Sequence, residues 1–111
     1  MLWIDRDNNI RLTRGDTAII SLEVQRNGQS YDYSNDLVQL TVKKNTVTTD
    51  VVFQKEISGT SFTIDPSDTS ELDYQNLKYD VQVTTQGGEV FTVIPPRNFT
   101  ITEEVTFDVE P

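Results

Sequence analysis

The sequence predicts an all-β chain folded as an antiparallel sandwich of seven to nine short strands. Apolar side chains alternate with polar ones along most of the chain, as on strands with one buried face. Turn signals interrupt this alternation regularly, and no segment has the period of a long helix. At 111 residues, this pattern is typical of one immunoglobulin-like domain over residues 1–111, with a small closed barrel as the alternative.

Strands of the first half are defined by alternation and by one strong turn signal. The pair Asn27-Gly28 suits the positive φ angles of a type I′ hairpin turn. A later strand ends at Lys43 and Lys44, which suit an exposed sheet end. The residues expected on buried strand faces in this half are Ile10, Leu12, Ala18, Ile20, Leu22, Val24, Val38, Leu40, Val42, Val51, Phe53 and Ile57.

In the second half, an acidic and hydroxyl-rich corner, "DPSDTSELDYQN", replaces strand alternation. We expect a corner with one short helical turn there, because Pro66 fixes φ and its neighbours offer side-chain acceptors. A hairpin is predicted at Gly87-Gly88, and Pro95-Pro96 predicts a strand that stops or lies at a sheet edge. The remaining expected strands carry Phe62 and Ile64, then Leu77, Tyr79, Val81 and Val83, and finally the segments "NFTIT" and "VTFDV".

Tyr79 is predicted to secure this corner. In immunoglobulin-like domains, a tyrosine two residues before a core position ties the corner to the backbone through its hydroxyl. Tyr79 stands two residues before Val81, with Asp68-Thr69 upstream. We therefore expect its hydroxyl to bind the corner backbone.

Charge and composition exclude several classes of partner. The formal charge of −9 disfavours nucleic acid and anionic lipid, and no apolar run approaches the roughly 20 residues needed to cross a bilayer. We expect no nucleic-acid or membrane partner. The first residues also lack the basic and long apolar regions of a secretory signal.

Catalytic chemistry finds little support in the residue inventory. The sequence contains no His and no Cys, so serine triads and thiol nucleophiles lose their usual members. Paired carboxylates would need a concave site that a small sandwich rarely encloses. We expect a protein that is not an enzyme, with no catalytic residue and no cofactor.

Two acidic clusters contain carboxylates of the kind that can hold a metal ion. Asp5, Asp7, Asn9 and Asp16 match positions of a calcium-binding loop, but Ile10 occupies the position that requires glycine. We interpret this segment as an acidic turn and predict no metal site. A sandwich domain stabilised by calcium is a further hypothesis. The second cluster is expected to cap the corner and consists of Asp65, Asp68, Glu71 and Asp73.

Three aromatic residues are the candidate partner contacts. Trp3 belongs to an apolar N-terminal segment, which is either exposed for docking or folded onto the sandwich edge. Tyr31 and Tyr33 lie in a polar connection, where tyrosine offers a large contact area at low entropic cost.

The tripeptide Arg14-Gly15-Asp16 matches an integrin-binding sequence. It lies, however, between two predicted strands, where Gly15 can adopt the backbone angle of a tight turn and Asp16 can accept hydrogen bonds. We interpret it as a structural turn before the strand that Thr17 opens.

Five segments together resemble immunoglobulin-like domains of tailed-bacteriophage virion proteins, such as the N-terminal domains of baseplate upper proteins. They are "LTRGDTAIISLEV", "LTVKKN", "FTIDPSDTSEL", "LKYDVQVTTQGGEVFTVI" and "FTITEEVT". The chain departs from that family's pattern at "DYQNLKYD", where glycine often precedes the strand, and at Pro95-Pro96.

This resemblance implies a non-enzymatic virion structural protein of phage or prophage, in a tail, baseplate or head-associated assembly. Its partners would be other virion proteins, with homo-oligomeric or other symmetric contacts. Its locations would be the virion and, during assembly, the host bacterial cytoplasm. The alternative is a sandwich module that binds carbohydrate or a receptor, because loops at sandwich ends commonly carry recognition.

Overall fold

The computed structural model describes residues 1–106 and confirms an all-β chain. The predicted final segment "VTFDV" lies mostly outside the described residues. Ten strands are present among the described residues, more than the seven to nine expected, because they include β1, which the sequence did not predict as a strand, and the two-residue strands β4 and β5. The strands are β1 (Leu2–Ile4), β2 (Ile10–Thr13), β3 (Ala18–Ser21), β4 (Gln25–Arg26), β5 (Gln29–Ser30), β6 (Leu37–Lys43), β7 (Phe53–Glu56), β8 (Ser61–Ile64), β9 (Gln75–Thr84) and β10 (Val90–Thr102).

Most strands belong to one six-stranded sheet in the order β1-β2-β10-β9-β6-β7. Its neighbours are antiparallel except β2 and β10, which pair in parallel through four residue pairs from Phe99–Ile10 to Thr102–Thr13. Strands β3 and β8 form a second, two-stranded sheet, and β4 and β5 form a separate hairpin. The β2–β10 pairing joins residues from opposite ends of the described chain.

Side chains from both sheets contribute to one hydrophobic core. The alternation predicted in β6 and β9 is confirmed, since every second side chain in each is buried. Val51 is a correction: it is 48% exposed because β7 begins only at Phe53. The core residues from the two sheets include Ile10, Leu12, Ala18, Ile20, Val38, Leu40, Val42, Phe53, Phe62, Ile64, Leu77, Val81, Val83, Phe99 and Ile101.

Both predicted hairpin turns are present. Asn27 and Gly28 have φ angles of 54° and 79°, as a type I′ turn between β4 and β5 requires. Between β9 and β10, the Thr85 amide donates to the Glu89 carbonyl at 2.8 Å, and Gly88 has a φ of 86°. Local turn chemistry therefore fixes these two connections.

Pro95-Pro96 does not end its strand. Strand β10 continues to Thr102, with register shifts against β9 on both sides of Ile94. An irregularity of this kind accommodates residues that cannot donate a ladder hydrogen bond. On the other side of β10, β2 pairs only from Phe99 onward, so the prolines lie along an edge.

The acidic corner contains the one helix of the described residues, α1 (Pro66–Thr69). Asp65 and Asp68 form a reciprocal capping box, and Lys55 contacts their carboxylates at 3.2 and 2.7 Å. The predicted capping role of these two acids is confirmed. No helix among residues 1–106 is long and apolar enough to cross a membrane.

Tyr79 secures a different turn from the one predicted. Its hydroxyl donates to the Asn8 carbonyl at 2.5 Å, in the connection between β1 and β2. Burial raises the pKa of Tyr79 to about 12. Strands β2 and β9 both neighbour β10, and this order places Asn8, just before β2, within reach of the Tyr79 hydroxyl.

Candidate functional site

The three candidate contact residues occupy different environments. Trp3 is 49% exposed on β1, Tyr31 is half-buried, and Tyr33 is only 7% exposed. The Tyr33 hydroxyl donates to the Leu22 carbonyl at 2.6 Å, and burial raises the pKa of this tyrosine. Tyr33 is therefore a core residue with little surface for a partner, and the structure does not bring the three aromatics together.

Tyr31 lines a small cavity between two hairpins, which we call the Tyr31 cleft. Its volume is about 130 Å³. The β4–β5 hairpin forms one wall, closed at its base by a 2.8 Å hydrogen bond from the Tyr31 amide to the Val24 carbonyl. Strands β9 and β10 form the other wall. The lining residues are Val24, Gln25, Arg26, Tyr31, Val83, Phe91 and Val93.

Charged groups surround this apolar cleft. The Tyr31 hydroxyl donates to Asp36 at 2.5 Å, and this hydrogen bond is the main cause that raises the pKa of Tyr31. The Glu89 carboxylate raises the pKa of Tyr31 as well, whereas the Arg26 cation opposes the increase. The Arg26 guanidinium lies 5.1 Å from the centre of the Phe91 ring, within cation–π range.

A second cavity of about 220 Å³ adjoins the Tyr31 cleft. The two share Val24 and Tyr31, and the second adds the exposed acids Glu23 and Asp32. We call it the acidic pocket. Tyr31 stands between an apolar cleft and an acidic pocket, at the end of the molecule where the two hairpins meet.

Sequence reasoning found Tyr31 but missed its partners in the cleft. Arg26 is only five residues from Tyr31, across the Asn27-Gly28 turn, but Phe91 and Val93 lie far from Tyr31 in sequence, and each has an ordinary strand explanation. Only the arrangement of the two hairpins places these side chains beside Tyr31. The nearest sequence signal was the pair of hairpin turns, but their relative position depends on the sheet order.

The second surface is the N-terminal edge, Met1–Ile4, whose strand β1 ends the large sheet. The Met1 carbonyl accepts from the Thr13 amide at 3.1 Å, and the Asp5 amide donates to the Asn9 carbonyl at 3.0 Å. By antiparallel alternation, the backbone groups of Leu2 and Ile4 then point away from β2.

Side chains at the N-terminal edge are largely apolar and exposed. Trp3 is on the outer face, where the Arg11 guanidinium lies 5.7 Å from the centre of its ring. Ile4 lies on the core side of the sheet but is 44% exposed. Of the two options for Trp3, the structure shows partial exposure on an edge strand.

Arg14-Gly15-Asp16 forms the turn between β2 and β3, as interpreted from the sequence. The Arg14 guanidinium donates to Glu104 at 2.9 Å, to the Leu72 carbonyl at 3.1 Å and to the Tyr74 hydroxyl at 3.1 Å. The hydrogen bond to Glu104 is the main cause that raises the pKa of Arg14. This side chain therefore joins the turn to the corner and to the segment after β10.

Gly15 and Asp16 complete the turn. Gly15 has a φ of 81°, and its amide donates to the buried Thr69 hydroxyl at 2.8 Å. The Asp16 amide donates to the Thr13 carbonyl at 3.1 Å, and its carboxylate pairs with the Met1 ammonium. Turn geometry thus accounts for all three residues.

The acidic segment around Asp5 is a turn. One Asp5 carboxylate oxygen accepts from the Asp7 and Asn9 amides, both at 2.9 Å, and the other accepts from the Asn9 side chain at 3.1 Å. The Asn9 hydrogen bonds are the main cause that lowers the pKa of Asp5. Among residues 1–106, no three acidic side chains are grouped in a way that would hold a metal.

A polar groove of about 310 Å³ runs over the outer face of β6, β9 and β10. Gln54 donates to the Thr41 hydroxyl at 2.9 Å within it. Burial raises the pKa of Asp80, and Lys43 opposes that increase. Amide, hydroxyl and charged groups of this kind can hydrogen-bond sugar hydroxyls, but Tyr79, its one aromatic lining residue, is only 4% exposed.

Comparison with protein-family models, with curated proteins and with solved structures finds no match to this chain.

Proposed function

We propose that this chain is a non-enzymatic structural module of a phage or prophage virion, an immunoglobulin-like domain that joins a tail, baseplate or head-associated assembly. The virion part of the proposal rests on the motifs that resemble the phage domains, and the strand order supports its immunoglobulin-like part. In the large sheet, strands β10, β9, β6 and β7 lie side by side in this order. Strands G, F, C and C′ of the immunoglobulin fold lie side by side in the same order. The separate β3–β8 pair corresponds to strands B and E.

The motifs that resemble the phage domains lie at the boundaries of these strands. "GDT" forms the turn into β3, and the first lysine of "VKK" ends β6. The "DTSEL" segment forms the corner before β9, and Gly87-Gly88 connects β9 to β10. Their positions support an immunoglobulin-like reading because each motif serves a turn or a strand end that the fold needs.

Assembly would use the N-terminal edge. Leu2 and Ile4 direct backbone donors and acceptors to the open side of β1, so an extended segment of a neighbouring virion protein or of a second copy could add as another strand. The exposed Trp3 would supply an aromatic anchor, and aromatic residues carry much of the energy at interfaces. A contact between two copies here would be isologous.

Particle fractionation tests the virion assignment. Particles from an induced or infected culture are purified on a density gradient and probed with an antibody to this chain. We expect the chain to co-sediment with intact particles. Its presence only in the soluble fraction, in a culture that yields particles, would contradict the proposal. Tail, portal or lysis genes in neighbouring reading frames would independently support it.

Substitution at the edge tests the assembly contact. Trp3→Lys should reduce incorporation into particles or self-association, because it places a charge on the contact surface. Val47→Lys is the matched control, since Val47 is 88% exposed in the connection between β6 and β7. Equal incorporation of the two variants and the parent would show that assembly does not use Trp3.

The alternative function is a module that binds carbohydrate or a receptor. The polar groove and the Tyr31 cleft favour it, because one offers sugar-binding groups and the other lies where two hairpins meet. A glycan array and a cell-binding assay with the purified chain test this alternative. Retained signal in Gln82→Ala and Tyr31→Ala variants would show that neither surface is responsible.

A further inference from the structure

We propose that the Tyr31 cleft and the acidic pocket together bind a basic peptide segment of a partner protein, with one apolar side chain of that segment held in the cleft. This inference does not depend on the chain being a virion component. It concerns the hairpin end of the molecule, whereas the proposed assembly contact concerns the N-terminal edge.

The cleft matches one apolar side chain in size and chemistry. Its volume of about 130 Å³ is close to the roughly 150 Å³ of a protein cavity that holds one benzene molecule. The half-buried Val24, Phe91 and Val93 provide carbon surfaces, and the Tyr31 ring forms the boundary with the neighbouring pocket. One aliphatic or aromatic side chain would fill this space, and the rest of a ligand would lie outside.

The charges around the cleft favour positive charge on the part of the ligand that lies outside it. Glu23 and Asp32 line the acidic pocket, and Asp36 and Glu89 act electrostatically on Tyr31. Against these four carboxylates stands one cation, Arg26, which gives a local formal charge of −3. Such a rim attracts Lys and Arg side chains and repels acidic segments.

The two cavities also favour an extended ligand. They share Tyr31 and Val24, so a ligand with one group in the cleft can pass over these two residues and place another group in the acidic pocket. A peptide can place an apolar side chain in the first and a basic side chain in the second. The exposed parts of the Arg26 and Tyr31 side chains would contact its backbone.

A selection experiment tests the predicted ligand class. A yeast-displayed library of random nine-residue peptides is sorted against the purified chain at low ionic strength. We expect enriched sequences with one large apolar residue beside two or more Lys or Arg. No enrichment over an unrelated acidic protein would overturn the proposal, as would enrichment of sequences without basic residues.

A matched pair of charge reversals locates the binding site. The double variant Glu23→Lys/Asp32→Lys should weaken binding of an enriched peptide by roughly tenfold, since two attractive charges that line the acidic pocket become repulsive. Both residues are exposed, so the fold should tolerate the change. The control Asp50→Lys/Glu71→Lys makes the same change in net charge at exposed positions outside the cleft and the pocket and should leave affinity within about twofold.

The apolar anchor needs its own test. Phe91→Ser should abolish measurable binding of the same peptide while circular dichroism shows a folded chain. If that variant unfolds, amide chemical-shift changes in the parent on peptide addition decide the question, and they should centre on Val24, Tyr31 and Phe91. Shifts elsewhere, or equal weakening by both charge-reversal pairs, would overturn the proposal. Glycan binding that competes with the peptide would assign the cleft to sugar instead.

Discussion

Replacing Gly15 with alanine tests how the Arg14-Gly15-Asp16 turn is held. The φ of 81° at this residue disfavours a side chain, which costs about 1–2 kcal/mol. A Cβ would also lie 3.3 Å from the Glu104 carboxylate, which accepts the 2.9 Å hydrogen bond from Arg14. Both side chains of this ion pair are largely buried, so displacing Glu104 should cost about 1 kcal/mol more.

The matched control for this substitution is Gly28→Ala. Gly28 has a similar φ of 79°, but an added Cβ there meets no atom within 4 Å. Urea unfolding should therefore show that Gly15→Ala lowers the free energy of unfolding by about 1 kcal/mol more than Gly28→Ala. That difference corresponds to a further decrease of about 4–8 °C in melting temperature.

A Glu104→Ala background separates the two causes. Without the Glu104 carboxylate, Gly15→Ala should cost no more than Gly28→Ala, because only backbone strain remains. Equal costs for the two glycine substitutions in the parent chain would refute the argument that Glu104 limits the space at Gly15. An unchanged extra cost in the Glu104→Ala background would refute it as well.

Three further predictions concern hydroxyl and carboxyl groups. Tyr33→Phe should lower the free energy of unfolding by about 1–2 kcal/mol, since it leaves the Leu22 carbonyl without its donor, and a loss below 0.5 kcal/mol in urea unfolding would contradict this. Because folding lowers the pKa of Asp5, its ionised carboxylate stabilises the fold at pH values above the ordinary pKa of 3.8. This contribution to the free energy of unfolding is lost as the pH falls through the folded-state pKa. The stability difference between the parent and Asp5→Asn should therefore shrink on acidification, and a constant difference would contradict the assignment. The pKa of Tyr79 is raised from 10.0 to about 12. The protonated hydroxyl therefore contributes fully to the free energy of unfolding below pH 10, and this contribution is lost as the pH rises through 12. In an absorbance titration, the Tyr79→Phe variant should lack the phenolate absorbance that the parent gains at the highest pH values. An unchanged titration curve would disprove the assignment.

Local pattern was enough to predict most of the strands and both hairpin turns. The alternation around Leu40 and around Val81 identified both central strands, because one face of each is buried. The backbone angles of Asn27-Gly28 follow from the residue types alone. Nothing in those patterns required knowledge of distant parts of the chain.

Long-range neighbours could not be predicted in the same way. Tyr79 was expected to bind the nearby corner, but its hydroxyl reaches Asn8, 71 residues away in sequence. Tyr33 has polar neighbours that suggested exposure, yet it is buried in the core. Pro95-Pro96 was expected to stop its strand or lie at a sheet edge, and it lies along an edge within β10, where register shifts accommodate it. Each outcome depends on which elements become neighbours, and the sheet order decides that.

For the candidate site, the sequence supplied individual residues without their surroundings. Tyr31 was predicted for its residue type, and the structure places it beside Phe91 and Arg26. For Trp3, the sequence left two alternatives, exposure for docking or packing onto the sandwich edge. The structure shows it partly exposed on an edge strand. The outer polar groove had no sequence signal, because its residues come from separate strands and each has an ordinary exposed position.

The parallel pairing of β2 with β10 also has a consequence for synthesis on the ribosome. Ile10 cannot meet Phe99 until β10 has emerged, and the nearby Asn9–Asn98 hydrogen bond spans 89 residues. At typical translation rates this delay is on the order of ten seconds. During that interval the β1–β2 hairpin has no β10 to pair with, so Ile10 and Leu12 remain accessible to chaperones. We expect nascent chains arrested before residue 90 to be bound by such factors, and full-length released chains to escape them.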